Sequence, residues 1–253
     1  MTTNITPIYL RELKSVFYSP VAWVVLAVYF ASGGFFWIAP VLQYANYSVM
    51  YAGRGQELKF GEWVLSPYFM NQVVMFIFLM PLVSMRLLSE EKKSGTIETL
   101  FTLPFSDLDI VLGKWLASLT LLAAMLGPTL LYFAMLGDKG VIPWAVVGTG
   151  FLGMFLIGAT CLALGLMVSS TTENQIIAGI VTFVILLMLF VMNWIGSMTT
   201  GVVKDMIDEV ALSGHMQSLA KGLINLKDLS YFILFILLML FGTLRVLESK
   251  KWR

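Results

Sequence analysis

Charged residues are what this sequence has least of. Asp, Glu, Lys and Arg make up 12% of its 253 residues and apolar residues 58%, where a soluble domain is roughly a quarter charged. That composition points to a membrane protein. The net charge of +1 argues against nucleic acid as a partner. A single cysteine, Cys161, excludes an internal disulfide. A single histidine, His215, cannot supply an ordinary metal-ligand set, and it reads as a surface residue in a loop. Reactive motifs are missing as well. There is no H-E-x-x-H, no G-x-S-x-G and no G-x-x-x-x-G-K-[ST]. Gly113-Lys114 lacks the upstream glycine of a phosphate loop and runs into Trp115. The chain binds no cofactor by these routes, and any work it does draws energy from elsewhere. No secretory leader stands out, since the first apolar run follows Glu12 and Lys14 and is too long for a signal core.

What the sequence has instead is long apolar runs. Six stretches nearly free of charge are expected to span a bilayer: Val21–Leu42, Trp63–Met85, Trp115–Gly137, Val141–Thr172, Asn174–Trp194 and Leu229–Leu247. Each approaches or exceeds the ~20 residues that cross a hydrocarbon core of ~30 Å. The fold class is thus an all-α polytopic membrane protein. Basic residues set the expected direction. Arg11, Lys14, Arg86, Lys92, Lys93, Lys114, Arg245, Lys250, Lys251 and Arg253 hug span ends on one side. The basic residues of the other side are dispersed and mixed with acids. Both termini are therefore expected in the cytoplasm. Trp23, Trp115 and Trp252 would mark the inner interface, and Trp37, Trp63, Trp144 and Trp194 the outer one.

The expected spans hold no acid or base deep inside, which argues against ion-coupled carriers and proton pumps. Asn71, Gln72 and Asn193 are the most polar groups near the membrane, and hydrogen bonding between helices is their expected role. Gly158, Cys161 and Gly165 form a small-residue seam at i, i+3 and i+7. It suits packing within one subunit and a dimer contact equally. Pro20 and Pro143 stand at helix starts, and Pro128 should kink the third span. "SSTTENQ" offers capping boxes from Ser170 to Glu173 and from Thr172 to Gln175.

Three amphipathic segments lie outside the spans. From Pro7 to Pro20, Tyr9, Leu13, Val16 and Phe17 share a face opposite Arg11, Glu12, Lys14 and Ser15, as in a helix lying on the inner surface. Between spans two and three, Thr96 can cap a short helix whose Ile97, Leu100 and Phe101 share a face and which Pro104 ends. Two turns are marginal alone in water, so that face needs the membrane surface or a groove on a soluble partner; a solvated loop is the plainer alternative. Ser106 to Asp109 then reads as a new helix start. From Thr199 to Asp228, one stripe holds Val202, Met206 and Val210, another Met216, Leu219, Ala220, Leu223 and Ile224, with Gly214 between. Two helices capping the outer face fit this pattern.

"SEEKKSGTIETLFTLPFSDLDIVLGKW" resembles the cytoplasmic segment of ABC-2 type permeases, with its acidic-basic run, Gly95-Thr96, Glu98, Leu100, Pro104 and closing Gly-Lys. "RELKSVFYSPVAW" is similar to that family's N-terminal entry, and "SSTTENQIIAG" to the turn after its fourth span. "SLAKGLINLKDLSYFILF" resembles the last part of the gliding-motility-associated permease branch, its F subunit. The likeness implies one ABC-2 transmembrane domain over 1–253, with an interfacial entry helix at 7–19, a cytoplasmic coupling segment at 86–110 and an external amphipathic segment at 199–228. It implies a half-transporter in the bacterial inner membrane, usually an exporter, with ATP bound only by a separate cytoplasmic ATPase subunit. Docking would fall to Glu90, Glu91, Gly95, Thr96, Ile97, Glu98, Leu100, Phe101 and Pro104, with Arg11 and Glu12 as a second contact. A second permease half, as homodimer or heterodimer, is implied too, and the branch suggests an auxiliary membrane-anchored subunit with an external domain. The competing readings are an ATP-independent channel, and a membrane component that passes ATPase-driven motion to an external partner.

Overall fold

A computed structural model describes residues 5–53, 58–96, 105–137 and 142–251. Among these every regular element is helical. In chain order they are α1 (Ile5–Tyr18), α2 (Pro20–Ala52), a π-helical turn (Gly61–Leu65), α3 (Ser66–Ser84), α4 (Ser89–Lys93), α5 (Asp107–Gly137), α6 (Trp144–Thr171), α7 (Gln175–Ser197), α8 (Val202–Val210), α9 (Leu212–Ala220) and α10 (Leu226–Lys251). Six helical stretches are long and apolar enough to cross a membrane: α2, the π turn with α3 and α4, α5, α6, α7 and α10. The protein is a multi-pass, all-α membrane protein. α1, α4, the start of α5 and the end of α10 gather at one face, called here the terminal face. The π turn, α8 and α9 gather at the opposite face.

The helices overrun the expected spans. Ser19 caps α2, its hydroxyl accepting from the Val21 N–H at 3.2 Å, and Pro20 fills the first turn. α2 then continues through Pro40 to Ala52. At ~1.5 Å per residue such a helix is ~50 Å long, well beyond the ~30 Å hydrocarbon core. α5 likewise starts at Asp107 rather than at Trp115 and runs through Pro128. Ser106 and Asp109 make a reciprocal cap at its start. The Asp109 N–H donates to Ser106 Oγ at 3.1 Å, and Asp109 Oδ2 accepts from the Ser106 N–H at 3.1 Å and hydroxyl at 2.7 Å.

α6 is the central helix. Of its most apolar window 72% lies inside the bundle, against 17% for α7 and 22% for α10. Lipid tails are as apolar as leucine, so helix association here rests on close packing rather than on water expulsion. The glycine seam supplies that closeness within the chain. A Cβ at Gly158 would lie 2.7 Å from Leu122 of α5, and one at Gly165 would collide with Ser84 of α3. Cys161 is fully buried between them. An aromatic cluster of Trp37, Tyr68, Phe69, Phe133 and Phe151 joins α2, α3, α5 and α6 in edge-on, stacked and tilted pairs.

Several expectations need correction. Trp37 is 6% exposed and belongs to this cluster rather than to an interfacial belt. The cap of α7 is Asn174, whose Oδ1 accepts from the Ile176 N–H at 2.9 Å; Ser170 is still inside α6 and Thr172 ends it. The break between α8 and α9 falls at Ala211, and Gly214 lies within α9. α8 turns its stripe of Val202, Met206 and Val210 outward, whereas Met216, Leu219 and Ala220 of α9 are buried. Leu223 and Ile224 are exposed.

Candidate functional site

The terminal face concentrates the charge that the spans lack. α4 is the described root of the segment between spans two and three. Contacts with the end of α6 and its own closing turn fix it. The Ser169 hydroxyl of α6 accepts from the backbone N–H groups of Leu88 (3.1 Å) and Ser89 (3.0 Å) and donates to the Met85 carbonyl (3.0 Å). The Lys92 ammonium donates to the Ser170 carbonyl. The last carbonyls of a helix lack intrahelical partners and carry its negative dipole end, so a lysine there both satisfies and neutralises. Gly95 ends α4 at φ +70°, a left-handed conformation in which a side chain would be strained. Thr96 turns its hydroxyl back to Ser94 Oγ (2.8 Å) and the Glu91 carbonyl (3.4 Å).

A buried ion cluster ties α4 to α1 and α5. Lys114, 1% exposed, places Nζ 3.1 Å from Glu12 Oε1 and 3.0 Å from Glu91 Oε1. Arg11, at the exposed edge, brings Nη2 to 2.5 Å from Glu91 Oε1 and 3.3 Å from Glu12 Oε1. The neighbouring Gly113 makes the approach of α1 feasible, since a Cβ there would sit 2.8 Å from Ile8 Cγ2. The Gly-Lys pair thus has two roles: the glycine admits the entry helix and the lysine holds it. Taking three charges out of water costs several kcal/mol per ion, so the cluster adds little net stability. Its consequence is positional: three segments far apart in sequence share one nitrogen.

Glu91 Oε2 and Asp109 Oδ1 are buried acceptors without a hydrogen-bond partner among the described residues. A cleft of ≈240 Å³ opens beside the cluster, walled by Arg11, Glu12, Arg86, Glu90, Glu91 and Lys114. Of the expected docking residues, Arg11, Glu12, Glu90, Glu91 and Thr96 therefore line one cleft; Gly95 follows α4 in the chain without lining it. Ile97, Glu98, Leu100, Phe101 and Pro104 lie outside the described residues.

Periodicity puts Glu12 on the polar face of α1, yet Ile8 and Glu12 are the buried pair and Leu10 is exposed. The reason is Lys114: the helix turns its carboxylate inward to meet a cation.

The opposite face holds a second buried polar site. His215 is buried, not a surface residue. Its Nδ1 lies 2.7 Å from Asp228 Oδ1, its Nε2 lies 3.1 Å from the Glu209 carbonyl, and its ring stacks on Tyr231 at 4.0 Å. Asp228 Oδ2 accepts from the Ser218 hydroxyl and from Asn225 Nδ2. The Ser218 hydroxyl meets the aspartate and the His215 backbone carbonyl (3.1 Å) rather than the imidazole, so no nucleophile is activated. The arrangement staples α9 onto the start of α10. Nothing in the sequence pairs Lys114 with Glu12, or His215 with Asp228. The lone acid in the first turn of the last span was the available hint.

Residues 6–212, most of the chain, match the family described as ABC-2 family transporter protein. No curated protein sequence matches the chain. The match stops before the segment from Ser218 to Phe235 that carries the likeness to the gliding-motility branch. Its boundaries include the entry helix, the charged root and five of the six spans, and on that coverage the chain belongs to the ABC-2 transporter family.

Proposed function

We propose that this transmembrane permease is one half of an exporter in the bacterial inner membrane, driven by a separate cytoplasmic ATPase that grips the segment at 97–104. One observation carries the reading: the root of that segment is tied at once to α1, α5 and α6, through Glu91, Lys114, Glu12, Ser169 and Lys92. A partner that pulls on the segment pulls on spans two, three and four together. In this reading the terminal face is cytoplasmic. Ile97, Leu100 and Phe101 fill an apolar groove of the ATPase, and Glu90 and Glu98 set register from the rim. Closure of two ATPases moves two such roots, so a second permease half completes the transporter, as homodimer or heterodimer. ATP stays on the partner.

A second reading rests on α8. Its outward stripe of Val202, Met206 and Val210 suits an auxiliary subunit with an external domain, to which the permease would pass ATPase-driven motion, as the gliding-motility likeness suggests.

The test is co-purification with candidate ABC ATPase subunits, comparing the wild type with a docking variant. Leu100→Asp is expected to abolish recovery of the ATPase while membrane insertion stays intact. Equal recovery with both proteins overturns the docking assignment. Flux through the reconstituted permease without any ATPase would favour the channel reading instead.

A further inference from the structure

A cavity of ≈720 Å³ opens at the face opposite the ion cluster, and neither the docking reading nor the His215 staple uses it. That is the size of an ordinary small-molecule site. Its walls come from two span starts and from the chain just before a third. Phe60, Gly61 and Glu62 belong to the π turn and its approach, Pro143 and Val146 to the start of α6, and Lys221 to the end of α9. Local sequence holds the walls in place. In the π turn the Ser66 N–H donates to the Gly61 carbonyl, a wider coil than an α-helix and one frequent at functional sites. Phe60 meets Trp37 and Tyr44 edge-on, and the Tyr44 hydroxyl donates to the Leu58 carbonyl at 3.1 Å. Gly222, at φ +90°, lets the chain leave α9 against α6, since a Cβ there would sit 3.0 Å from Val146 Cγ2. That turn sets Lys221 at the rim.

The depth of the cavity follows from its neighbours. Trp63 follows Glu62, Trp144 follows Pro143, and both indoles are exposed, as tryptophans are at the level of lipid headgroups. Charge on the walls is uneven. Glu62, the acid of the described wall, is already engaged by Lys59 at 3.4 Å. The Lys221 ammonium is exposed and has no ion pair or hydrogen bond among the described residues. The Ser66 hydroxyl, also on the wall, has no hydrogen bond among them either. One uncompensated positive charge and one free hydroxyl thus stand over an apolar floor of Phe60, Pro143 and Val146. A lysine ammonium is a compact point charge that suits phosphate oxygens. A neutral ligand would leave Lys221 unmatched, and a wholly polar anion would leave the floor wet.

We propose that this cavity binds the phosphate of a phospholipid headgroup from the leaflet opposite the terminal face. Lys221 and the Ser66 hydroxyl donate to the phosphate oxygens, and Lys59 adds charge from the rim. The glycerol and the first methylenes lie on Phe60, Pro143 and Val146. A lipid seated there joins α3, α6 and the approach to α10 at headgroup level. The site stands whether or not an ATPase grips the other face.

Native mass spectrometry of the full-length protein, released from detergent after addition of phosphatidylglycerol, tests the site. Lys221→Ala is expected to hold one phosphatidylglycerol roughly tenfold more weakly than the wild type, the loss of one charge-assisted hydrogen bond. Lys204→Ala removes an exposed lysine of α8 outside the cavity and should bind as the wild type does. Equal retention by wild type and Lys221→Ala overturns the proposal and leaves the cavity to another occupant. An equal loss from Lys204→Ala also overturns it, since general surface attraction would then be the cause. Glycerol phosphate that competes at the concentration of the lipid overturns the lipid source in favour of a soluble phosphate compound. Glu62→Gln frees Lys59 and should tighten binding, a gain that misfolding cannot mimic; no gain counts against the site.

Discussion

The two buried polar sites at opposite faces do different jobs with similar chemistry. At the terminal face, one lysine bridges carboxylates from residues 12 and 91. At the opposite face, His215 and Asp228 lie only 13 residues apart, and serine, asparagine and backbone groups complete the set. The local site closes a short loop and so needs to bring little chain together. The terminal one spans a hundred residues and leaves one acceptor oxygen of Glu91 unpaired beside an open cleft. A satisfied network rigidifies, while a partly satisfied one is open to a new partner. The contrast marks the opposite face as a staple and the terminal face as a joint.

The largest expected effect breaks the joint. Lys114→Met leaves Glu12 and Glu91 facing each other in a buried site and should cost about 3–5 kcal/mol in unfolding. Adding Glu12→Gln and Glu91→Gln should recover most of that loss; a triple variant no better than the single would mean that packing, not charge, holds α1. Next comes the staple. Asp228→Ala strands the donors of His215, Ser218 and Asn225 and should cost about 2–3 kcal/mol. Hydrogen exchange should quicken in α8 and α9 but not at residues 86–96, and faster exchange at both faces would erase the distinction drawn here. Smaller still is Ser169→Ala, worth about 1–2 kcal/mol, read as faster exchange at the Leu88 and Ser89 amides. At the bottom, Glu62→Ala removes only the exposed pair with Lys59 (3.4 Å) and should change stability by ~0.5 kcal/mol or less.

Six spans were legible because a bilayer demands length and apolarity, and both are additive along a chain. The ends were less legible. α2 passes Leu42 because nothing in Gln43–Ala52 forbids a helix, and hydropathy marks where the membrane stops rather than where hydrogen bonding does. Asn174 displaced the expected caps because Ser170 was needed inside α6, where its carbonyl meets Lys92. Lys114 illustrates the deeper difficulty. Counted among basic residues that set orientation, it is instead a buried tie whose partners come from other helices. A linear pattern reports the average surroundings of a residue, and an ion cluster is made by the exceptions. The same holds for His215, whose burial depends on an aspartate and a tyrosine presented by the next helix.

Cys161 carries a practical consequence. Its sulfur is sealed among helices that touch through glycine, beyond reach of a bulky, membrane-impermeant thiol reagent. The native sequence is therefore already a silent background for reporter cysteines. Ser94→Cys at the end of α4 and Thr200→Cys before α8 can be read against it directly, each by the side of the cell from which a maleimide stains it.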